Sequence, residues 1–469
     1  MTTVEVTFDG LGIAPKLLEI LDKNKFTTPT PIQLQSIPIG LEGKDIMGIA
    51  QTGTGKTLAF GIPMIQRIAQ NKGMGLVILP TRELALQVDE SLNKIGHPLG
   101  LRTAILIGGE NMNKQIRQLR AKPHIIISTP GRLIDHLEQK TIRLDTVNVL
   151  VLDEADRMLD MGFAPQIKKI LQSVPHKRQT MLFSATMPVE IVDIAKSYMQ
   201  LPVRVEVAPA GTSSANITQE LYFVRKEDKI PLLQTVLDQY KGSVLVFSRT
   251  KFGAKKIASQ VRRMGHTSTE IHSNRSLNQR IEALQGFKVG KYRVMIATDI
   301  AARGIDVTGI ELVINYDLPE QAADYVHRIG RTGRAQHSGH AISFATPDQR
   351  FDVRAIERLI KKQLPISNLP KLPERKIESV QERGNGFSGF RAPNRHPQES
   401  FGKRGHFRPT RNAPVPLRSP FSHSSKSSHK KSFGKPRNER GNFPPARPAR
   451  PQRHGSDDRR PRTFFDDQY

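Results

Sequence analysis

The chain has 469 residues, enough for two or three domains, but only 37% of them are apolar, so some of it is not expected to pack. It contains no cysteine, which excludes disulfides and thiolate metal sites, and no apolar run near the ~20 residues that a membrane-spanning helix needs. The net charge is +27, and residues 366–469, with 23 basic against 9 acidic side chains, carry about half of it, which points to a polyanionic partner.

In chain order, Met1-Thr2-Thr3-Val4-Glu5 has neither the basic start nor the apolar stretch of a secretory leader, and the chain reads as soluble and cytoplasmic. An apolar run, Asp45-Ile46-Met47-Gly48-Ile49, then leads into Ala50-Gln51-Thr52-Gly53-Thr54-Gly55-Lys56-Thr57 and the helix-like Leu58-Ala59-Phe60-Gly61. Strand, glycine-rich loop and helix in that order make a phosphate-binding loop. Its glycines let backbone N–H groups curl round phosphate oxygens, Lys56 can reach the outer phosphates and the Thr57 hydroxyl can ligate Mg²⁺. Ala50 stands where the general pattern has its first glycine.

Further apolar runs follow at Gly75–Leu79, Ile105–Ile107, His124–Ile127, Val149–Leu152 and Thr180–Phe183, separated by helical patterns. Continuous rather than alternating runs predict parallel strands buried on both faces, in an open doubly wound α/β sheet. Ala208 to Ser214 is small and polar and breaks the pattern as a linker. The alternation resumes at Ser243–Phe247, Val294–Ala297, Leu312–Ile314 and Ala341–Phe344, predicting a second α/β domain without a phosphate loop. The expected divisions are a first domain 1–207, a linker 208–218, a second domain 219–365 and a tail 366–469.

Asp153-Glu154-Ala155-Asp156 follows the run Val149–Leu152, which places carboxylates at the carboxyl edge of a buried strand, where open α/β sheets bind ligands. There Asp153 can hold Mg²⁺ while Glu154 orients or deprotonates an attacking water.

These segments do not stand alone. Pro80-Thr81-Arg82-Glu83-Leu84-Ala85, Gly108-Gly109, Thr129-Pro130-Gly131-Arg132 and Ser184-Ala185-Thr186 surround them in the first half. The second half adds Val246–Thr250, Ala297-Thr298-Asp299, Ala302-Arg303-Gly304-Ile305-Asp306 and His327–Arg334. In this order they resemble the DEAD-box RNA helicases over about residues 8–365, with the bacterial RhlE-like branch the most similar.

The resemblance implies two tandem RecA-like lobes that hydrolyse ATP with Mg²⁺ when RNA closes them. It implies an adenine-reading motif over Phe26–Gln33 with Phe8 as its outlying aromatic, in which Gln33 offers both a donor and an acceptor. It makes Arg331 and Arg334 arginine fingers, suited by their planar forks to charge on a transferring phosphoryl group. Gly304 and Asp306 would lie on the nucleotide side, with Asp306 at the ribose. Ser184, Thr186, Asp156, His327 and Arg328 would couple hydrolysis to lobe position. Arg82, Gly109, Thr129, Arg132, Thr298 and Arg303 would touch the RNA backbone, so binding should be largely independent of sequence. Two departures stand out: Lys25 replaces the glycine that usually opens the adenine motif, with little consequence expected, and Leu277 replaces the glutamine common after Ser276.

Beyond Pro370, Arg and Lys alternate with Phe387, Phe390, Phe401, Phe407, Phe421, Phe433 and Phe443. This composition predicts a disordered basic tail that tethers RNA through phosphate contacts and stacking. The tail's histidines lack metal-ligand spacing, so no structural metal is expected. The implied partners are RNA, both duplex and single-stranded, with ribosomal precursors or RNA-degradation proteins, and no membrane. The readings in competition with a helicase are an ATP-switched RNA clamp or annealing protein and a DNA translocase.

Overall fold

The computed structural model describes residues 6–51, 53–207, 217–302, 309–333 and 338–373, with Ile300 by its backbone alone. The first seven strands are β1 (Ile46–Ile49), β2 (Met74–Ile78), β3 (Thr103–Leu106), β4 (Ile125–Ser128), β5 (Val147–Leu152), β6 (Gln179–Ser184) and β7 (Val203–Glu206). They form one sheet in the order β3-β4-β2-β5-β6-β1-β7. Six more follow: β8 (Ile217–Phe223), β9 (Val244–Phe247), β10 (Ser268–Ile271), β11 (Val294–Ala297), β12 (Leu312–Asn315) and β13 (Gly339–Ala345). These make a second sheet in the order β10-β11-β9-β12-β13-β8.

Every pairing is parallel; Ile46 lies opposite Met181 on one side and Val203 on the other, and Val294 opposite Val244. Parallel strands need crossovers, and helices supply them, so both faces of each sheet are covered. Leu76, Ile78, Leu150 and Leu182 pack on one side of the first sheet, Val77, Val149, Val151, Met181 and Phe183 on the other. The second sheet repeats this, with Val244, Val246, Ile296 and Ile314 in one cluster and Leu245, Phe247, Met295 and Val313 in another. The architecture is two tandem RecA-like α/β lobes.

The strands that the sequence did not announce are β7, β8 and β10, all at sheet edges. Edge strands keep one polar flank, so Val203-Arg204-Val205-Glu206 and Ile217-Thr218-Gln219-Glu220 alternate instead of running apolar. Two boundaries shift for the same reason. β8 begins at Ile217, inside the segment assigned to the linker, and the second lobe does not end at Pro365. The Leu221 N–H donates to the Pro365 carbonyl at 2.9 Å, the Ser367 N–H donates back to Leu221 at 2.9 Å, and Leu372 packs against the lobe's core. These residues run alongside β8 and cover the edge of the sheet. The proposed tail from residue 374 onward, and most of the linker, lie outside the described residues.

Both sheets present their carboxyl edges to the functional segments. The phosphate loop follows β1, Thr81 and Arg82 follow β2, Thr129 follows β4, Asp153 follows β5 and Ser184 ends β6. Among the described residues no helix is long and apolar enough to cross a membrane.

Candidate active site and nucleic-acid interface

The loop after β1 turns through Gly53 (φ 88°) and Gly55 (φ 91°) into the helix Lys56–Asn71. Gly55 is required twice over, because its φ is left-handed and a Cβ there would lie 2.4 Å from Gln33 Nε2. Ala50 is not among the residues with positive φ, so its methyl group meets no backbone penalty, and this explains why the general glycine is dispensable. Thr54 Oγ1 donates to the Gln51 carbonyl at 2.7 Å and closes the loop. Lys56 is buried; its Nζ donates to the Ala50 carbonyl at 3.1 Å and lies 3.6 Å from Asp153 Oδ1. Thr52 lies outside the described residues.

A cavity of about 420 Å³ beside this loop is lined by Phe8, Phe26, Gln33, Lys56, Thr57 and Asp153, among others. It brings the expected adenine motif, phosphate loop and carboxylate together. Gln33 does more than face the cavity: its Oε1 accepts from the Thr30 N–H at 2.9 Å and its Nε2 donates to the Gly55 carbonyl at 2.9 Å. One N–H and one lone pair of the amide remain to read a base edge. Lys25 sits at φ 63°, a conformation that glycine adopts freely and an L side chain only at a cost of about 1–2 kcal/mol, which shows why glycine is usual there. Gln87, not singled out from sequence, also lines the cavity, and both its amide atoms are buried without a hydrogen-bond partner.

At the edge of β5, burial pushes the Asp153 carboxyl up to about 6, although Lys56 beside it pulls the other way. Glu154 holds a left-handed backbone (φ 53°, ψ 49°), a strained choice for a glutamate and of the kind concentrated at functional sites. Its Oε2 lies 3.1 Å from Arg157 Nε, both side chains being almost wholly buried. Asp156 Oδ2 accepts from Ala185 N (3.1 Å), Thr186 N (2.9 Å) and Thr186 Oγ1 (2.9 Å), while the Asp156 N–H donates to Ser184 Oγ at 3.2 Å. The expected coupling residues Asp156, Ser184 and Thr186 thus form one tight cluster on neighbouring strands. Arg157 was missed; its signal was its place three residues after Glu154, one helical turn on.

The second lobe presents the helix Ala322–Ile329, and its His327, Arg328 and Arg331 line a crevice together with Arg157 and Asp324. Burial, then the neighbouring Arg157, hold the His327 imidazole below its ordinary value, against the pull of Asp324 and Asp156. Arg331 is buried and donates Nε to the His327 carbonyl at 3.2 Å. Arg328, expected to couple the lobes, makes its hydrogen bonds inside its own. Its Nε and Nη2 fork onto Asp299 at 2.5 and 2.7 Å, and its Nη1 donates to Asn315 Oδ1 (3.2 Å) and the Asp317 carbonyl (2.6 Å). The guanidinium also stacks 5.0 Å from the Phe247 ring centre. Arg303, Gly304, Asp306 and Arg334 lie outside the described residues.

The expected RNA contacts gather at a second cavity of about 430 Å³, lined by Arg82, Thr129 and Arg132 from the first lobe and Ser273, Arg275 and Arg280 from the second. Arg132 is anchored by donating Nη1 to the Glu110 carbonyl (3.1 Å) and to Gln115 Oε1 (3.2 Å). Gly109 (φ 82°) sits against Arg82, and a Cβ there would lie 2.3 Å from Arg82 Nη1. Burial, then the neighbouring Arg280, hold the Arg82 guanidinium below its usual value. Thr298 is apart from this groove, at the carboxyl end of β11 beside Asp299.

Two RecA-like lobes, a phosphate loop, a carboxylate pair on the next strand but one and, in the other lobe, Arg331 sharing a crevice with Arg157 define a two-lobed P-loop nucleoside triphosphatase. The DEAD/DEAH box helicase family matches residues 30–194, and the helicase conserved C-terminal domain matches residues 228–336. Over 380 residues the chain is 44% identical to the DEAD-box ATP-dependent RNA helicase CshA of Bacillus licheniformis, covering 80% of this chain and 78% of that protein. In structure it is similar to S. cerevisiae Dbp5 bound to RNA and ADP BeF3, at 30% identity and TM-score 0.71, over 77% of this chain and 95% of that one. It is likewise similar to the DEAD-box helicase Mss116 bound to ssRNA and UDP-BeF, at 26% identity and TM-score 0.72, over 78% of this chain and 81% of that one. The chain belongs to the DEAD-box family of ATP-dependent RNA helicases.

Proposed function

We propose that the chain is an RNA-dependent ATPase that opens short RNA duplexes by drawing its two lobes together around ATP and one strand. The observation that carries this is the shared crevice, in which Arg157, paired with Glu154 at the edge of β5, meets His327 and Arg331 of the second lobe. A phosphoryl group held by Lys56 would have the water-orienting Glu154 on one lobe and the charge-stabilising Arg331 on the other. Turnover then requires the lobes to meet, because neither half of the pocket has the whole constellation.

Phe8, Phe26 and Gln33 would hold the adenine, and Lys56 with the amides of Gly53 to Thr57 would cradle the phosphates. The residues fit Mg²⁺: Asp153 is a buried carboxyl whose raised pKa shows that Lys56 does not fully offset its burial, and Thr57 adds a second hard oxygen. Thr57 and Asp153 would hold the ion, which when bound neutralises charge on the β- and γ-phosphates. Arg82, Thr129, Arg132 and Arg275 would grip phosphates and sugars, giving affinity without sequence preference. Structured RNA in ribosomal precursors or in RNA-degradation complexes offers the short duplexes that such a device opens.

ATP hydrolysis measured with RNA, with DNA and with neither tests the reading. Strong stimulation by RNA alone is expected; equal stimulation by DNA would remove RNA as the substrate. A first lobe that hydrolysed ATP unaided as fast as the whole chain would refute the split pocket.

A further inference from the structure

Leu277 is the first residue of the helix Leu277–Lys288 in the second lobe, fixed in place by a capping box. The Gln279 N–H donates to Ser276 Oγ at 3.3 Å, and the Ser276 N–H donates back to Gln279 Oε1 at 3.1 Å. Leu277 is 6% exposed, yet it belongs to none of the second lobe's apolar clusters. It packs instead into the first lobe's core cluster, whose other buried members all lie between Phe8 and Val205. One turn along the same face, Arg280 Nη2 lies 2.8 Å from Glu83 Oε1 of the first lobe, with side chains 12% and 3% exposed. One helix end therefore reaches across with an apolar contact and an ionic one side by side.

The charge around Arg82 opposes that approach. Arg280 pairs with Glu83, Arg132 with Asp135 and Arg275 with Glu270, so four guanidiniums meet three carboxylates, and Arg82 is left with Arg280 and Arg132 pushing against its charge. Like charges crowded at one place favour separation until phosphates come between them. An apolar contact is indifferent to that charge balance and is not screened by salt. We propose that Leu277 is a positioning residue for lobe closure, an apolar latch that holds the closed form against the repulsion of the arginine-lined groove and so sets how much RNA is needed to drive turnover. The proposal rests on the lobe-closure reading above.

Burying most of a leucine side chain is worth at least about tenfold in the closure equilibrium. In the full-length protein, Leu277→Ala should raise the RNA concentration for half-maximal ATPase about tenfold, with kcat at saturating RNA unchanged. Leu277→Met, which keeps volume and apolarity, should stay near wild type. Fluorescence energy transfer between dyes on the two lobes, with RNA and a non-hydrolysable ATP analogue, should show less of the closed form for Leu277→Ala at equal RNA. Hydrogen-exchange protection inside the second lobe should not change, because Leu277 joins none of that lobe's apolar clusters. Wild-type half-saturation and closure in Leu277→Ala would overturn the latch while leaving lobe closure intact. So would a loss that tracks weakened exchange protection inside the second lobe, since that marks a structural defect. A wild-type protein that never closes with RNA and nucleotide would overturn both.

Discussion

Truncating Arg328 to alanine separates two roles for this arginine: a charge offered to the nucleotide, or a brace for the helix that carries His327 and leads to Arg331. The structure gives the brace a size. Two parallel bonds to Asp299 at 2.5 and 2.7 Å, bonds to Asn315 and the Asp317 carbonyl, and a ring contact with Phe247 all leave with the guanidinium. Asp299 keeps 22% of its side chain exposed, so water replaces part of what is lost and the cost falls below that of a fully buried pair, to about 2–3 kcal/mol. Because a two-lobed chain does not unfold in one step, the loss is best read locally by hydrogen exchange. Amides of β12 and of the helix Ala322–Ile329 should become protected less by about 2–3 kcal/mol, while those of β1 and β5 should not change. Arg328→Lys keeps the charge without the fork and should fall between the two. Unchanged exchange in that helix, together with lost ATPase, would show that Arg328 acts on the nucleotide and would refute the brace.

Glu154→Gln should cut turnover at least about a hundredfold while leaving nucleotide affinity near wild type, as judged by titration with a fluorescent ATP analogue. Closure should also depend on pH. Burial and Arg157 across the crevice hold His327 below its ordinary value of about 6.5, and parting the lobes removes Arg157, so proton uptake opposes closure. RNA half-saturation should be flat above that value and rise by up to about tenfold per unit below it, and His327→Gln should abolish the rise. Lys25→Gly should raise the first lobe's stability by about 1 kcal/mol by removing a left-handed side chain, visible as a higher thermal midpoint. Removing residues 374–469 should weaken RNA binding and flatten its salt dependence without changing RNA-free ATPase; an unchanged salt slope would leave the excess charge without a role in RNA binding.

The central strands were legible because burial on both faces writes itself as unbroken apolar runs, as at Val149–Leu152. The edges β7 and β8 were not, since a half-exposed strand in a parallel sheet mixes Thr, Glu and Arg into its run, nor was β10, where the buried Glu270, paired with Arg275, interrupts the apolar run. Motif spacing placed Lys56, Asp153 and Glu154 correctly on the sheet edge, because loop positions follow from strand ends. It could not tell that Arg328 gives its hydrogen bonds to Asp299, Asn315 and Asp317 of its own lobe, or that Arg157 joins the same crevice, for direction is set by tertiary packing and not by spacing. Leu277 shows the same limit: in sequence it is a departure from a motif, and only the packing reveals which lobe it serves.

The knot of bonds around Asp156 has a mechanical consequence. Its carboxylate ties the tip of β5 to the tip of β6, so Glu154 and the Ser184–Thr186 turn travel as one piece and a push on either is felt by the other. Asp156→Asn would put a donor where three donors already converge, freeing the two tips to drift. Fuel consumption and lobe movement would then fall out of step before either was lost.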